Sequence, residues 1–347
     1  MKKKALITGI LGQDGIYLSK FLIKKNYKII GIHNKKNKSQ LTPYKKLLKD
    51  KITLIKCDIK NYHSLNRIIN KINPDEIYNL AAVSSVAQSF QNPKEMIKIN
   101  VIGLLNILEI LRKKRKKISF YQASSSEMFG NNKNIFLSEK TVLNPVSPYG
   151  ISKATSHYLV RFYRKAYNLE CCSGILFNHE SPLRNKNFVT KKIISNLCKI
   201  YNGENIIIKL GNIYSKRDWG YAPDYVEAMW KMLQLKKKRD FVIGTGKNYD
   251  VKTFINIACS YLNLKIKWNG ESFNEKCINL NTNKKIIEID KKLYRPLDIS
   301  VQKCNPSNAT KILKWSPKNN IYNLVTKLCD FELNKLPLKN KINSKFK

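Results

Sequence analysis

The sequence predicts an α/β protein, a Rossmann-type doubly wound parallel sheet with a smaller, interleaved C-terminal domain. Three observations predict it. Short apolar, β-branched runs alternate with longer helical patterns through the first half; a glycine-rich turn stands directly after the first run; and beyond residue 177 the alternation turns irregular.

The elements follow in order. Runs such as Ala5-Leu6-Ile7-Thr8 are too short for helices and rich in strand formers, which places strands over 5–8, 27–32, 52–56, 76–80, 118–123 and 171–177. Between them, apolar residues recur at helical spacing over 16–25, 64–71, 97–114 and 151–167, the last just after Pro148-Tyr149-Gly150. A loop over 178–187 leads to helical stretches over 189–201 and 224–235. A further strand over 241–243 ends at Gly244-Thr245-Gly246. No internal repeat is present.

Length and composition exclude several classes. At 347 residues and 43% hydrophobic content the chain can bury a sizeable core. Met1-Lys2-Lys3-Lys4 leads into an apolar stretch broken at once by Gly9, too short for a signal peptide, and no window offers the roughly 18 apolar residues of a membrane span. A cytoplasmic protein is expected, with no membrane partner. The eight cysteines, at 57, 171, 172, 198, 259, 277, 304 and 329, form no Cys-x-x-Cys pair and have no histidine at zinc spacing, so reduced thiols and no metal are expected. Adjacent Cys171 and Cys172 would point to opposite faces of a strand. The net charge of +41 suggests nucleic acid, but only nine of 65 basic residues are Arg, and Lys, Asn and Ile are abundant from end to end. This is the pattern of a solvated lysine-rich surface rather than a specific nucleic-acid site; it can still draw in anionic ligands.

Gly9-Ile10-Leu11-Gly12-Gln13-Asp14-Gly15 follows the first strand and opens a helix. The glycines permit a tight turn and close approach of a pyrophosphate to the unpaired N–H groups of the helix start, which indicates a dinucleotide. The second strand ends in His33-Asn34-Lys35-Lys36, with no carboxylate to bind ribose hydroxyls and lysines able to meet a 2′-phosphate, so NADP is expected over NAD. Asp58, after the third strand, is placed either to bind an adenine amino group or to cap the next helix. The expected division is a mainly NADP-binding domain over 1–178, a mainly substrate-binding region over 179–335 with some elements returning to the first sheet, and a Lys- and Asn-rich flexible tail over 336–347.

Tyr149 and Lys153 form a Tyr-x-x-x-Lys pair on one face of a helix start. A tyrosine is a poor base at neutral pH unless a nearby ammonium favours the phenolate. The fifth strand ends in Ala123-Ser124-Ser125-Ser126-Glu127, where a serine hydroxyl can polarise a sugar oxygen. Glu127 adds what a simple dehydrogenase does not need: a carboxylate able to take a carbon-bound proton and return one to a departing hydroxide. A capping or solvated glutamate is the other reading of this residue.

Together these residues resemble the extended short-chain dehydrogenase/reductase family and, within it, the GDP-mannose 4,6-dehydratases. The matching stretches are 5–15 (ALITGILGQDG), 76–82 (EIYNLAA), 120–130 (FYQASSSEMFG), 147–153 (SPYGISK), 166–182 (AYNLECCSGILFNHESP), 187–190 (NFVT), 216–220 (KRDWG), 224–232 (DYVEAMWKM) and Tyr294-Arg295-Pro296. The resemblance implies conversion of GDP-mannose to GDP-4-keto-6-deoxymannose by internal hydride transfer from C4 to C6 through NADP. Ser125, Glu127, Tyr149 and Lys153 would be catalytic.

The resemblance further implies that the cofactor touches Gly9, Ile10, Leu11, Gly12, Gln13, Asp14, Asn34, Lys35, Lys36, Asp58, Ile59, Leu80, Ala81, Ala82, Ser84, Tyr149, Lys153, His179 and Arg184. The GDP-sugar would contact Ser125, Asn178, Lys192, Arg217, Arg295 and Asp298, and the chain would form a homo-oligomer, a dimer or tetramer. Three of the nine arginines, Arg184, Arg217 and Arg295, fall in the matching loops, where a planar fork suits phosphate or guanine. Departures are Ser125 in place of a threonine, Asn34-Lys35 in place of paired arginines, and Leu183 in place of an arginine. The competing expectations are an NADP-dependent nucleotide-sugar epimerase or reductase on the same scaffold, and a non-catalytic nucleotide- or RNA-binding homologue.

Overall fold

Seven of the apolar runs lie side by side in one sheet, in the order Phe241–Ile243, Cys171–Leu176, Ser119–Ser125, Glu76–Asn79, Lys4–Thr8, Lys28–His33 and Ile52–Lys56. Every neighbouring pair is parallel. This is the arrangement in a computed structural model that describes residues 2–34, 48, 51–132 and 136–336. The chain starts in the middle of the sheet at Lys4–Thr8, builds outward to Ile52–Lys56, then crosses back to Glu76–Asn79 and builds the other way. Where the direction reverses, the connections leave opposite faces and open a crevice at the carboxyl ends of the strands.

Strand alternation sorts side chains onto two cores. Leu6, Ile77, Phe120 and Cys171 pack beneath the helices Tyr62–Ile72, Gly103–Arg112 and Pro148–Ala166. Ala5, Ile7, Tyr78, Tyr121 and Cys172 pack on the other face against Gln13–Lys24 and Ala222–Gln234. The adjacent cysteines thus do point to opposite faces, and all eight are buried and free.

The helix expected over 97–114 begins earlier, at Pro93, and contains one π turn, Lys98–Ile102, between Pro93–Ile97 and Gly103–Arg112. A side chain at Gly103 would meet Ile59 Cδ1 at 2.5 Å, so the helix lies unusually close to the loop after the third strand. The wider turn carries Asn100, whose amide bonds Val83 and the Ser152 hydroxyl. Single π turns of this kind recur at functional sites.

The later chain adds a four-stranded sheet, ordered Ile266–Asn269, Lys276–Asn279, Lys284–Ile289 and Ile208–Leu210. It was not foreseen, because Lys and Asn interrupt its alternation. Its apolar side packs with Val189–Tyr201, Val251–Tyr261 and Ile321–Leu333. Phe241–Ile243 returns to the main sheet beside Cys171–Leu176, and Asn178–Glu180 pairs with Trp219–Tyr221. Among the described residues no helix is long and apolar enough to cross a membrane, and no cluster of three His, Cys, Asp or Glu side chains could hold a metal.

Candidate active site

A cavity of about 870 Å³ opens at the carboxyl ends of the central strands, running from the glycine turn past Tyr149 to the loops of the later chain. Three groups of residues form its wall, each placed by a different part of the fold.

The glycine turn forms one end. Gly9 has φ +67°, and a side chain there would meet the Ala81 nitrogen at 2.7 Å, so only glycine permits both the turn and the close pass of the fourth-strand loop. Gly12 N–H bonds Gly9 O at 2.9 Å. Gly12 is the N-cap of Gln13–Lys24 and has no side chain to satisfy the first N–H groups, which leaves them for an anion. Asp14 Oδ2 meets His179 Nε2 at 2.9 Å, His179 Nδ1 lies 2.8 Å from Phe177 O, and the ring stacks on Tyr225 at 4.6 Å. Burial pushes Asp14 up and His179 down, but their mutual attraction outweighs it: Asp14 sits below the usual carboxylate range and His179 above the usual imidazole range.

The second group lies where the fifth strand runs into a short 3₁₀ turn, Ser126–Phe129. The strand extends to Ser125, two residues past its expected end, so the hydroxyl is set by sheet geometry. Ser125 Oγ accepts the Glu127 N–H at 3.3 Å. Ser147 caps Pro148–Ala166 by accepting the Gly150 N–H at 3.0 Å, which puts Tyr149 in the first turn and Lys153 one turn later. Lys153 Nζ donates to Ala123 O at 2.9 Å and lies 5.8 Å from the Tyr149 ring centre. Burial pushes Tyr149 up to about 12, eased by a hydrogen bond with Ser125, and pulls Lys153 down to about 8, opposed by Asp14. Burial also raises Glu127, against the attraction of Arg217 and Arg295.

The arginines form the third group. Arg217 Nη2 and Arg295 Nη1 reach the same Asp298 oxygen at 3.3 and 3.2 Å, and Ser215 donates to the other at 3.1 Å. Burial lowers Arg217, with Glu127 and Asp298 opposing, yet a guanidinium remains charged. Arg184 lies between Glu180, 3.1 Å from its Nε, and the Phe188 ring, 3.6 Å from its Cζ. Lys192 Nζ donates to Lys209 O at 2.6 Å.

Gly9, Leu11, Gly12, Gln13, Asp14, Asn34, Asp58, Ile59, Leu80, Ala81, Ala82 and Ser84 all line this cavity, as do Asn178, His179, Arg184, Lys192, Arg217, Arg295 and Asp298. Ile10 does not: its side chain is fully buried and fills the space over Gly31, so it belongs to the core. Lys35 and Lys36 lie outside the described residues, as does the expected tail beyond 336. The helix after Asp58 is capped by Asn61, not Asp58, which instead accepts the Lys60 N–H at 2.9 Å and remains on the cavity wall. Asn100, Ser215 and Glu180 were missed. Glu180 is buried, accepts the Thr190 hydroxyl at 2.8 Å and forms an ion pair with Arg184.

The profile of the family described as GDP-mannose 4,6 dehydratase matches residues 6–328. The GDP-mannose 4,6 dehydratase of Dictyostelium discoideum is 42% identical, over 94% of this chain and 95% of that one, and the Homo sapiens enzyme of the same name is 39% identical, over 90% and 87%. Among solved structures, the UDP-glucose 4-epimerase of Thermotoga maritima aligns with a TM-score of 0.79 at 23% identity, covering 96% of this chain and 98% of that one. The dTDP-glucose 4,6-dehydratase of Bacillus anthracis aligns at 0.78 and 20%, covering 95% and 96%. These two share the fold; the sequence relatives and the profile settle the family. The chain belongs to the GDP-mannose 4,6-dehydratase family of enzymes.

Proposed function

We propose that this protein removes water from GDP-mannose to give GDP-4-keto-6-deoxymannose, using NADP held in the cavity. The observation that carries this reading is Glu127, a buried carboxyl on the same wall as Ser125, Tyr149 and Lys153. A dinucleotide fits the opposite end: a cradle that a single side chain at Gly9 would fill, and a helix start without a side-chain cap. The solved dTDP-glucose 4,6-dehydratase structure is a complex with NAD, in keeping with a nicotinamide cofactor here. The absence of a carboxylate at His33-Asn34 favours NADP.

When bound, the cofactor supplies a hydride acceptor for C4 and a hydride donor for C6, so the overall reaction is redox-neutral. The protein manages the protons. Tyr149 takes the proton of the 4-hydroxyl; its pKa is far too high unless the Lys153 ammonium favours the phenolate. Ser125 donates to the C4 oxygen as it becomes a carbonyl. The new ketone acidifies C5–H; Glu127, its carboxyl raised by burial, takes that proton and returns it to the C6 hydroxyl, which leaves as water, and the proton first taken by Tyr149 goes to C5 as C6 is reduced. Arg217, Arg295, Asp298, Asn178 and Lys192 hold the GDP moiety. Residues 1–178 thus mainly serve the cofactor and 179–335 mainly the sugar nucleotide.

A homo-oligomer completes the proposal. Ile151, Tyr158 and Phe162 are exposed along one helix, with Ile102 exposed on the neighbouring helical segment, which is an unusual amount of apolar surface for two solvent-facing elements.

The test is incubation of purified protein with GDP-mannose and no added reductant. Mass analysis should show loss of one water. A change of sugar stereochemistry at constant mass, or only an NADPH-dependent gain of two hydrogens on a keto sugar, would replace this reading with the epimerase or reductase.

A further inference from the structure

His33 is the last residue of the second strand and lies on the cavity wall. Its side chain is buried, with the residue 8% exposed, and its Nδ1 has no hydrogen-bond partner among the described residues. A buried polar nitrogen without a partner is costly, and here the side chain borders the space where a ligand would enter. In a doubly wound sheet this position faces the adenosine ribose, and an acid there accepts from the ribose hydroxyls. The groups around this imidazole are of a different kind. Lys56 is its partner in the adjacent strand, and Asp58, the nearby carboxylate on the wall, is 3.6 Å from the Lys60 ammonium.

We infer that His33 meets the 2′ position of the adenosine ribose and selects a 2′-phosphate over a 2′-hydroxyl. The inference rests on the dinucleotide reading above and gives it a residue. An imidazole offers an N–H donor to phosphate oxygens, where a carboxylate would repel them, and it can share a proton with the phosphate dianion. Burial and the Lys56 charge hold the free imidazole below its ordinary range, so in the unliganded protein it is a neutral donor and acceptor rather than a fixed cation. A 2′-hydroxyl gains one ordinary hydrogen bond from such a group, whereas a phosphate gains a charge-assisted one.

The test uses full-length protein stripped of nucleotide and titrated with NADP and with NAD, with calorimetry as the readout. His33→Ala should weaken NADP binding about tenfold, the worth of one charge-assisted hydrogen bond, and leave NAD within about twofold. His33→Asp should weaken NADP further and strengthen NAD. An unchanged NADP-to-NAD ratio in both variants, with melting temperatures matching the parent, overturns the role of His33 while leaving dinucleotide binding intact. Failure of the parent protein to bind either nucleotide overturns the dinucleotide reading and this inference with it.

Discussion

Two sets of ionisable groups line the same cavity, and they are treated in opposite ways. Where the fifth strand ends, Tyr149 and Glu127 are raised and Lys153 is lowered: for each, burial outweighs the attraction of the opposite charges around it and drives it toward its neutral form. Around them the charges are paired. Asp14 is matched with His179, Arg184 with Glu180, and Arg217 and Arg295 with Asp298. Burial moves Glu127 and Lys153 in the direction of neutral pH, which suits them to exchanging protons, and moves Tyr149 away from it, so that Tyr149 depends on the ammonium one turn along its helix. Groups held by an opposite charge are fixed in position, which suits them to holding a ligand.

The largest effect should separate the two sets outright. Glu127→Gln keeps the size of the side chain and removes the proton relay, so dehydration should fall about 10²–10⁴-fold, while calorimetric binding of cofactor and GDP-mannose stays close to the parent. Retained turnover would mean that Glu127 belongs with the binding groups after all.

Lys153→Met tests the cost of the unpaired charge. The folded state lowers this lysine to about 8 from the ordinary lysine value of 10.5, so below pH 8 the unfolded chain holds the proton more tightly and stability is lost; it returns as pH rises from about 8 to 10.5. Methionine removes that penalty, about 3 kcal/mol from the shift, and also the bond to Ala123 O, worth about 1 kcal/mol. The variant should therefore be inactive yet about 2 kcal/mol more stable at pH 7, with the gain shrinking toward pH 10.5 in denaturant titrations. A destabilised variant at pH 7 would place Lys153 among the structural residues.

The smallest effect belongs to the paired set. Arg217→Lys keeps the charge and loses the fork, so KM for GDP-mannose should rise about tenfold with kcat within a few-fold. A fall confined to kcat would instead show that Arg217 acts on the reacting atoms through Glu127.

The first half of the fold was legible because its signals are local. Strand runs, helix periodicity and the Gly9-to-Gly15 turn each need only neighbouring residues, and the six strands expected there lie within about two residues of where they form. The four-stranded sheet of the later half was not legible. Ile208–Leu210 pairs with Lys284–Ile289, far along the chain, and the alternation of these strands is broken by lysine and asparagine. The site divides in the same way. Ser125, Glu127, Tyr149 and Lys153, which the family resemblance singles out, line one cavity, while the side chain of Ile10, from the glycine motif, lies in the core.

By itself the sequence determined which groups are present: glycines where a side chain would block the turn, a tyrosine and lysine one helical turn apart, an acid at a strand end, and three of the few arginines in the later loops. Only the tertiary structure decided their state. Whether a carboxyl is driven toward its neutral form like Glu127 or paired with two arginines like Asp298 depends on which charges and how much water surround it, and those neighbours come from distant segments. Burial and pairing are properties of the assembled cavity, so the chemistry could be named from the residues but apportioned among them only by the fold.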